Sequence, residues 1–143
     1  MKPLVKEPFV RTFVSKDGAK LFLDNLINTF NAKIDFHFDH EPSGSTVYSV
    51  TSDIGRFSVT ATDNEQPDFI SHTRAVYIVE NIDDILVAAR KTGIEIAQEK
   101  SPVPIGFQAR LRLSKDNVME LAEWTQEHIE EVTKSGFIFN MSK

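Results

Sequence analysis

Residues 106–124, GFQARLRLSKDNVMELAEW, contain the pattern that decides the fold. Apolar and polar residues alternate over 107–113, a polar stretch follows at 114–117, and a second run begins at Val118. Because successive side chains of a strand point to opposite faces, this pattern predicts two strands joined by a turn. The stretch is therefore expected to form a β-hairpin.

The second strand of this hairpin carries one acid on an otherwise apolar face. Glu120 shares that face with Val118, Ala122 and Trp124. Glu120 is therefore the first candidate for a functional residue.

Composition limits the kind of protein to which this hairpin belongs. The chain has 143 residues, 41% of them apolar, which is enough for the core of one domain at 1–143. The absence of cysteine excludes disulfides, thiolate metal sites and a cysteine nucleophile. A net charge of −5 argues against nucleic acid as a partner, because binding to phosphates depends on Lys and Arg. No stretch is long and apolar enough to span a membrane, and we expect a soluble, cytoplasmic protein.

The order of predicted elements occurs twice along the chain. A strand at Phe9–Val14, a helix and three further strands precede a polar linker at 63–71. Residues 72–124 again predict a strand, a helix and three strands. A repeat of this size indicates two modules, about 8–63 and 72–124, followed by a helix and an apolar tail at 125–143.

Three short motifs in the second module carry a resemblance to a known superfamily. The predicted helix begins with NIDD at 81–84 and ends with KTG at 91–93, and the hairpin contains DNVMEL at 116–121. Together these resemble the second half of a vicinal oxygen chelate domain, the superfamily of glyoxalases, bleomycin-resistance proteins and extradiol dioxygenases. The glycine usual in that hairpin turn, and the proline that often precedes it, are missing here.

This resemblance implies an α+β fold and a place for a functional site. Two βαβββ modules are expected to form a curled mixed sheet around a cleft, with the helices on the convex side. Catalytic relatives hold a metal ion through His and Glu residues on the first and fourth strands of each module. The corresponding positions here are Phe9, Ser58, Arg74 and Glu120, of which only Glu120 can ligate a metal.

The arginine at one of these positions suggests that a side chain replaces the metal. A guanidinium has no lone pair for a metal ion, so Arg74 is expected to pair with Glu120 in the cleft, with no metal cofactor. Alternatively, a small shift in strand register brings His72 to the site, where it and Glu120 hold one divalent ion.

Further residues of the strands are candidates for the ligand site. Arg110 and Arg112 could neutralise Glu120 without any ligand role, or could bind a carboxylate or phosphate if they point inward. Three aromatic residues are candidates for the pocket wall, or alternatively for the core: Tyr48, Tyr77 and Trp124.

The remaining polar and apolar features predict surface and interface roles. His37 and His40 near the Pro42 turn are expected at the surface, and His128 is expected to be exposed. The apolar residues 137–139 are expected to dock on the cleft mouth or on a second subunit, since exposing them to water is unfavourable. Relatives are commonly dimers, so the resemblance implies a homodimer.

These observations leave two main functional classes and one further alternative. We favour a metal-free protein that binds a small organic molecule in the cleft, as bleomycin-resistance proteins do, over an enzyme. The alternative is a glyoxalase-like lyase or isomerase, or a dioxygenase, in which Glu120 is the general base or a metal ligand. The third possibility is a non-catalytic interaction protein whose cleft is filled by its own side chains.

Overall fold

The computed structural model describes residues 2–141. Met1, Ser142 and Lys143, at the ends of the predicted domain, lie outside the described residues. Within the described range the chain forms eight β-strands and four α-helices. No helix in this range is both long enough and apolar enough to cross a membrane.

The elements follow the predicted order in both halves of the chain. The first half contains β1 (Phe9–Val14), α1 (Ala19–Phe30), β2 (Lys33–His40), β3 (Ser45–Ser52) and β4 (Gly55–Ala61). The predicted linker includes a short helix, α2 (Asp68–Ser71). The second half contains β5 (Thr73–Ile78), α3 (Ile82–Thr92), β6 (Glu95–Val103), β7 (Gly106–Ser114), β8 (Asn117–Trp124) and α4 (Gln126–Lys134).

All eight strands belong to one mixed sheet in the order β2-β3-β4-β1-β5-β8-β7-β6. β1 pairs in parallel with β4, and β5 pairs in parallel with β8. The two halves meet where β1 and β5 pair antiparallel at the centre of the sheet. This curled sheet with two βαβββ modules confirms the predicted α+β fold.

The local sequence explains where the long helix of the second half begins and ends. The Asn81 side chain accepts a hydrogen bond from the amide of Asp84 at 3.1 Å, which caps the first turn of α3. Gly93 ends the helix in a left-handed conformation, with φ of 78°, that glycine adopts without strain. Four residues form the buried stripe of α3: Ile82, Ile85, Leu86 and Ala89.

Each helix of a module covers the convex face of its own half of the sheet. Leu23 and Leu26 of α1 pack against Val50 and Val59 of β3 and β4. The stripe of α3 packs against apolar residues of β7 and β8. Because strand residues alternate between faces, the opposite face of these strands is left free for a cleft.

The C-terminal tail docks on the chain itself. Phe137 is 6% exposed and its ring lies 5.6 Å from that of Trp124, whereas the neighbouring Ile138 is 58% exposed. Arg56 of β4 is buried, places its guanidinium 4.7 Å from the Phe137 ring, and donates a hydrogen bond to the Ile138 carbonyl. Phe137 therefore docks beside the cleft, against a residue of its wall, and contact of this segment with a second subunit stays a prediction.

His128 is buried, so its expected exposure was wrong. Thr125 caps α4 by accepting a hydrogen bond from the His128 amide. The ring lies 4.4 Å from Phe36 and 4.9 Å from Trp124. Burial lowers the pKa of His128, and the nearby Glu131 offsets part of this effect.

We predict that Phe137→Ala lowers the free energy of unfolding by about 3 kcal/mol, because it leaves a cavity between Trp124 and Arg56. Ile138→Ala is the matched control, since it shortens an exposed side chain and should change stability by less than about 0.5 kcal/mol. Urea denaturation of both variants measures the difference. Equal losses in the two variants would show that the tail is not docked in this way.

We also predict that acid destabilises the fold through His128. Its pKa is lower in the folded than in the unfolded chain, so below the ordinary value of 6.5 the unfolded chain binds more protons and stability is lost. His128→Phe should therefore lose about 1 kcal/mol less than the parent between about pH 7.5 and about pH 5.5. His40 is present in both proteins and cancels in this comparison. Parallel stability curves against pH would contradict the assignment.

Candidate functional site

The concave face of the sheet forms a cleft between the two modules. Its volume is about 80 Å³, smaller than the roughly 300–1,000 Å³ of sites for drug-sized molecules. Much of the wall is aromatic and comes from β1, β2 and β8: Phe9, Phe13, Phe36, Phe38 and Trp124. An organic ligand in this cleft would therefore contact mostly apolar surface.

Three charged side chains meet in the wall of the cleft. Glu120 Oε1 accepts hydrogen bonds from Arg11 Nη2 at 2.8 Å and from Arg110 Nη2 at 2.7 Å. The side chains of Arg11, Arg110 and Glu120 are only 7%, 6% and 8% exposed. With both arginines protonated and the glutamate ionised, this cluster carries a net charge of +1 away from bulk water.

Each arginine is held in place by further contacts. Arg11 also donates to the Thr60 hydroxyl, and Arg110 donates to Thr73 Oγ1 at 3.1 Å and to the Gln98 carboxamide. Burial lowers the pKa of Arg110, and Glu120 offsets part of this effect. An arginine nevertheless remains protonated at neutral pH, because its ordinary pKa lies so far above 7. The cluster is therefore a fixed source of positive charge.

The predicted ion pair between Arg74 and Glu120 is wrong. Arg74 is exposed, because the pairing of β5 with β8 shifts by one residue between Thr73 and Ala75. Such a bulge changes which side chains face inward, and Thr73 points to Arg110 instead. The partners of Glu120 are Arg11 and Arg110, so the alternative in which Arg110 neutralises it is the one observed.

The strand pairing also corrects the four positions that the resemblance implied. Ser58 lies opposite Arg11, and Glu120 lies opposite Val76. All four of these residues line the cleft. The positions expected on the first strand of each module, Phe9 and Arg74, were therefore two residues too early, although Phe9 also lines the cleft.

Five of the residues predicted for the ligand site line the cleft, and four others lie elsewhere. The first group consists of Phe9, Ser58, Arg110, Glu120 and Trp124. Besides Arg74, three predicted residues do not line it: Arg112, Tyr48 and Tyr77.

Arg112 lies near the turn of the β7–β8 hairpin and donates to Glu95 and to the Lys115 carbonyl. Tyr48 packs in the apolar cluster between α1 and the sheet. Tyr77 lies on the outer face of the sheet, because its neighbours in the strand, Val76 and Ile78, face the cleft.

The alternative metal site does not fit the structure. His72 does not line the cleft, and its Nε2 lies 3.9 Å from Asp116 near the hairpin turn. Within residues 2–141 there is no cluster of three or more His, Asp or Glu side chains that could hold a metal ion. Two guanidinium groups within 3 Å of Glu120 would also repel a divalent cation. The residues of the cleft therefore do not suit a metal ion.

Two residues of the cleft were missed or misplaced by the sequence analysis. Arg11 is not among the residues predicted from the sequence, although it alternates with Phe9 and Phe13, which both face inward. His40 was expected at the surface, but it follows Phe36 and Phe38 on the inward face of β2 and lines the cleft. In both cases the alternation within one strand was the available signal.

His40 is fixed in the cleft wall by a short chain of hydrogen bonds. Its Nδ1 lies 2.7 Å from Ser43 Oγ, which in turn lies 2.8 Å from Ser45 Oγ. Burial is the main cause that lowers the pKa of His40, and Arg110 adds to it. His40 is therefore neutral at pH 7 and offers a hydrogen-bonding group rather than a charge.

Several solved structures share the fold of this chain. An uncharacterised protein from Methanosarcina mazei is 24% identical over 88% of this chain and 96% of its own, with a TM-score of 0.65. Methylmalonyl-CoA epimerase from Mycobacterium tuberculosis is 12% identical over 91% and 95%, with a TM-score of 0.70. A variant methylmalonyl-CoA epimerase from Streptomyces coelicolor, in complex with 2-nitronate-propionyl-CoA, is 12% identical over 88% and 97%, with a TM-score of 0.66. No protein-family model and no curated protein matches the sequence.

These similarities concern the fold. The identities are all below 25%, and a shared fold does not establish a shared activity. The neighbours have the glyoxalase type of fold, which agrees at that level with the resemblance to the vicinal oxygen chelate superfamily.

We predict that Glu120→Gln lowers the free energy of unfolding by about 3 kcal/mol, because it leaves two buried guanidinium groups without a counter-charge. The matched control is Glu95→Gln, which makes the same change in the exposed pair with Arg112 and should cost less than about 1 kcal/mol. Chemical denaturation measures both. A Glu120 variant as stable as the control would mean that the charge cluster is solvated.

Proposed function

We propose that the protein binds a small organic anion, without a metal ion, in the cleft between its two modules. The observation that carries the proposal is the pair of buried arginines, Arg11 and Arg110, that share one oxygen of Glu120. The surrounding wall is mostly apolar and aromatic. The ligand that suits this arrangement has a carboxylate and an apolar body.

The charge of the cluster favours an anion over a cation or a neutral molecule. One of the two positive charges has no counter-charge within the cluster, and both are shielded from water. A carboxylate that enters the cleft makes charge-assisted hydrogen bonds with guanidinium groups, and these are the stronger kind. Arg11 also has an unpartnered Nε among the described residues, so its guanidinium is not saturated.

A non-metal mode of binding follows from the same residues. The resemblance places a metal ion near the first and fourth strands of each module, and Arg11 and Glu120 occupy that region here. The side chains of Arg11 and Arg110 supply the positive charge in this region, which a bound metal ion supplies in catalytic relatives. In this proposal the guanidinium groups that take the place of a metal ion are those of Arg11 and Arg110, rather than that of Arg74.

An isomerase is the second candidate. Two of the three structural neighbours described above are methylmalonyl-CoA epimerases, and Glu120 faces the cleft as a general base would. Its Oε1 is occupied by both arginines, so Oε2 is the oxygen that would accept a proton. The third possibility, an interaction protein with a filled cleft, agrees with the small cleft volume of about 80 Å³ and is tested by whether any small acid binds.

We predict that 3-phenylpropanoate binds and stabilises the protein, whereas 3-phenylpropanamide and 3-phenylpropylamine, which have the same apolar body, bind more weakly. Arg110→Met should weaken binding of the acid by at least about tenfold, because the remaining Arg11–Glu120 pair is neutral. Arg112→Met is the matched control on the same strand and should leave affinity unchanged, since Arg112 lies outside the cleft. Isothermal titration calorimetry and thermal shift measure both effects.

Two results would overturn this proposal. Equal affinity for the acid, the amide and the amine would show that the arginines do not select an anion. Near-stoichiometric Zn, Ni, Mn or Fe in protein purified without chelators, lost on Glu120→Ala, would show a metal site. The isomerase is tested separately with methylmalonyl-CoA in deuterated water, where exchange of the α-hydrogen that depends on Glu120 would favour the enzyme.

A further inference from the structure

A second cavity adjoins the cleft, and we call it the side chamber. It lies between the turn after β2, the linker after β4, and strands β6 and β7, with a volume of about 370 Å³. Four residues line both cavities and mark the junction: His40, Ser43, Ile70 and Gln108. A ligand held at the arginine cluster can therefore extend in two directions.

Gln108 is the feature of this junction that points to a ligand. It is 8% exposed and faces both cavities from β7. Within residues 2–141 its carboxamide makes no hydrogen bond, and its polar atoms are open to the cavities, where a ligand could bond to them. Arg110 lies two residues further along the same strand and on the same face. A ligand group that bonds to Gln108 is therefore close to the proposed anion site at Arg11 and Arg110.

The lining of the side chamber differs in chemistry from that of the cleft. Gln66, Gln98 and Asn64 supply further carboxamides. Glu65 carries a negative charge there, and His40 is neutral, because its pKa is lowered. The chamber therefore suits a neutral hydrogen-bonding group and disfavours a second anion such as a phosphate.

We propose that the ligand is a carboxylic acid with two unlike substituents near the carboxylate, and that Gln108 recognises one of them. The apolar substituent occupies the aromatic cleft, the carboxylate lies at Arg11 and Arg110, and a neutral polar substituent such as an acylamino group enters the side chamber. This rests on the proposed function, because it takes the anion site as given.

The test uses two acids that differ only in the polar substituent. N-acetylphenylalanine has an acetamido group on the carbon next to the carboxylate, and 3-phenylpropanoate lacks it. The parent protein should bind N-acetylphenylalanine at least about tenfold more tightly, since the amide satisfies Gln108. Gln108→Met should abolish this preference, so that it binds the two acids about equally.

Further variants distinguish failure of the side-chamber inference from failure of the proposed function. Gln108→Met should not lower the melting temperature, because within residues 2–141 the Gln108 carboxamide makes no hydrogen bond that would be lost, and Gln108→Leu is a second choice if it does. Gln126→Leu, on the exposed first turn of α4, is the control and should retain the preference. If neither acid binds the parent protein, the proposed function fails. If both bind equally, or Gln108→Met weakens both alike, only the inference about the side chamber is overturned.

Discussion

The site depends on the need to neutralise one glutamate inside an apolar cleft. A buried carboxylate is costly unless it is paired and hydrogen-bonded, and Glu120 meets this condition through Arg11 and Arg110. These arginines come from opposite halves of the chain, on β1 and β7. The same three charges therefore hold the modules together and leave a net positive charge at the centre of the cleft.

The architecture makes such a cluster possible because one face of the sheet is already covered. α1 and α3 pack on the convex face with apolar stripes, and the core lies there. The concave side chains are then free to be polar, aromatic or charged without loss of the main core. The tail adds a third apolar cluster, in which Phe137, His128 and Trp124 pack together beside the cleft wall.

Sequence patterns predicted the strands and helix ends that depend on residues close together in the chain. The alternation in residues 106–124 predicted β7 and β8, and the capping residues Asn81 and Gly93 bracket α3 as expected. The placement of Glu120, Trp124 and Arg110 in the cleft wall could be predicted because all three lie on one regular hairpin. Alternation within β1 and β2 could also have indicated Arg11 and His40.

The sequence alone determined the order of elements, the two-module fold and the inward face of each regular strand. These follow from periodicity and capping, which act between residues close in the chain. Only the tertiary structure decided which arginines meet Glu120, since a bulge at β5 turned Arg74 outward and pairing across the sheet brought in Arg11. Pairing partners far apart in sequence depend on strand register and packing, and a shift of one residue reverses the face that a side chain presents.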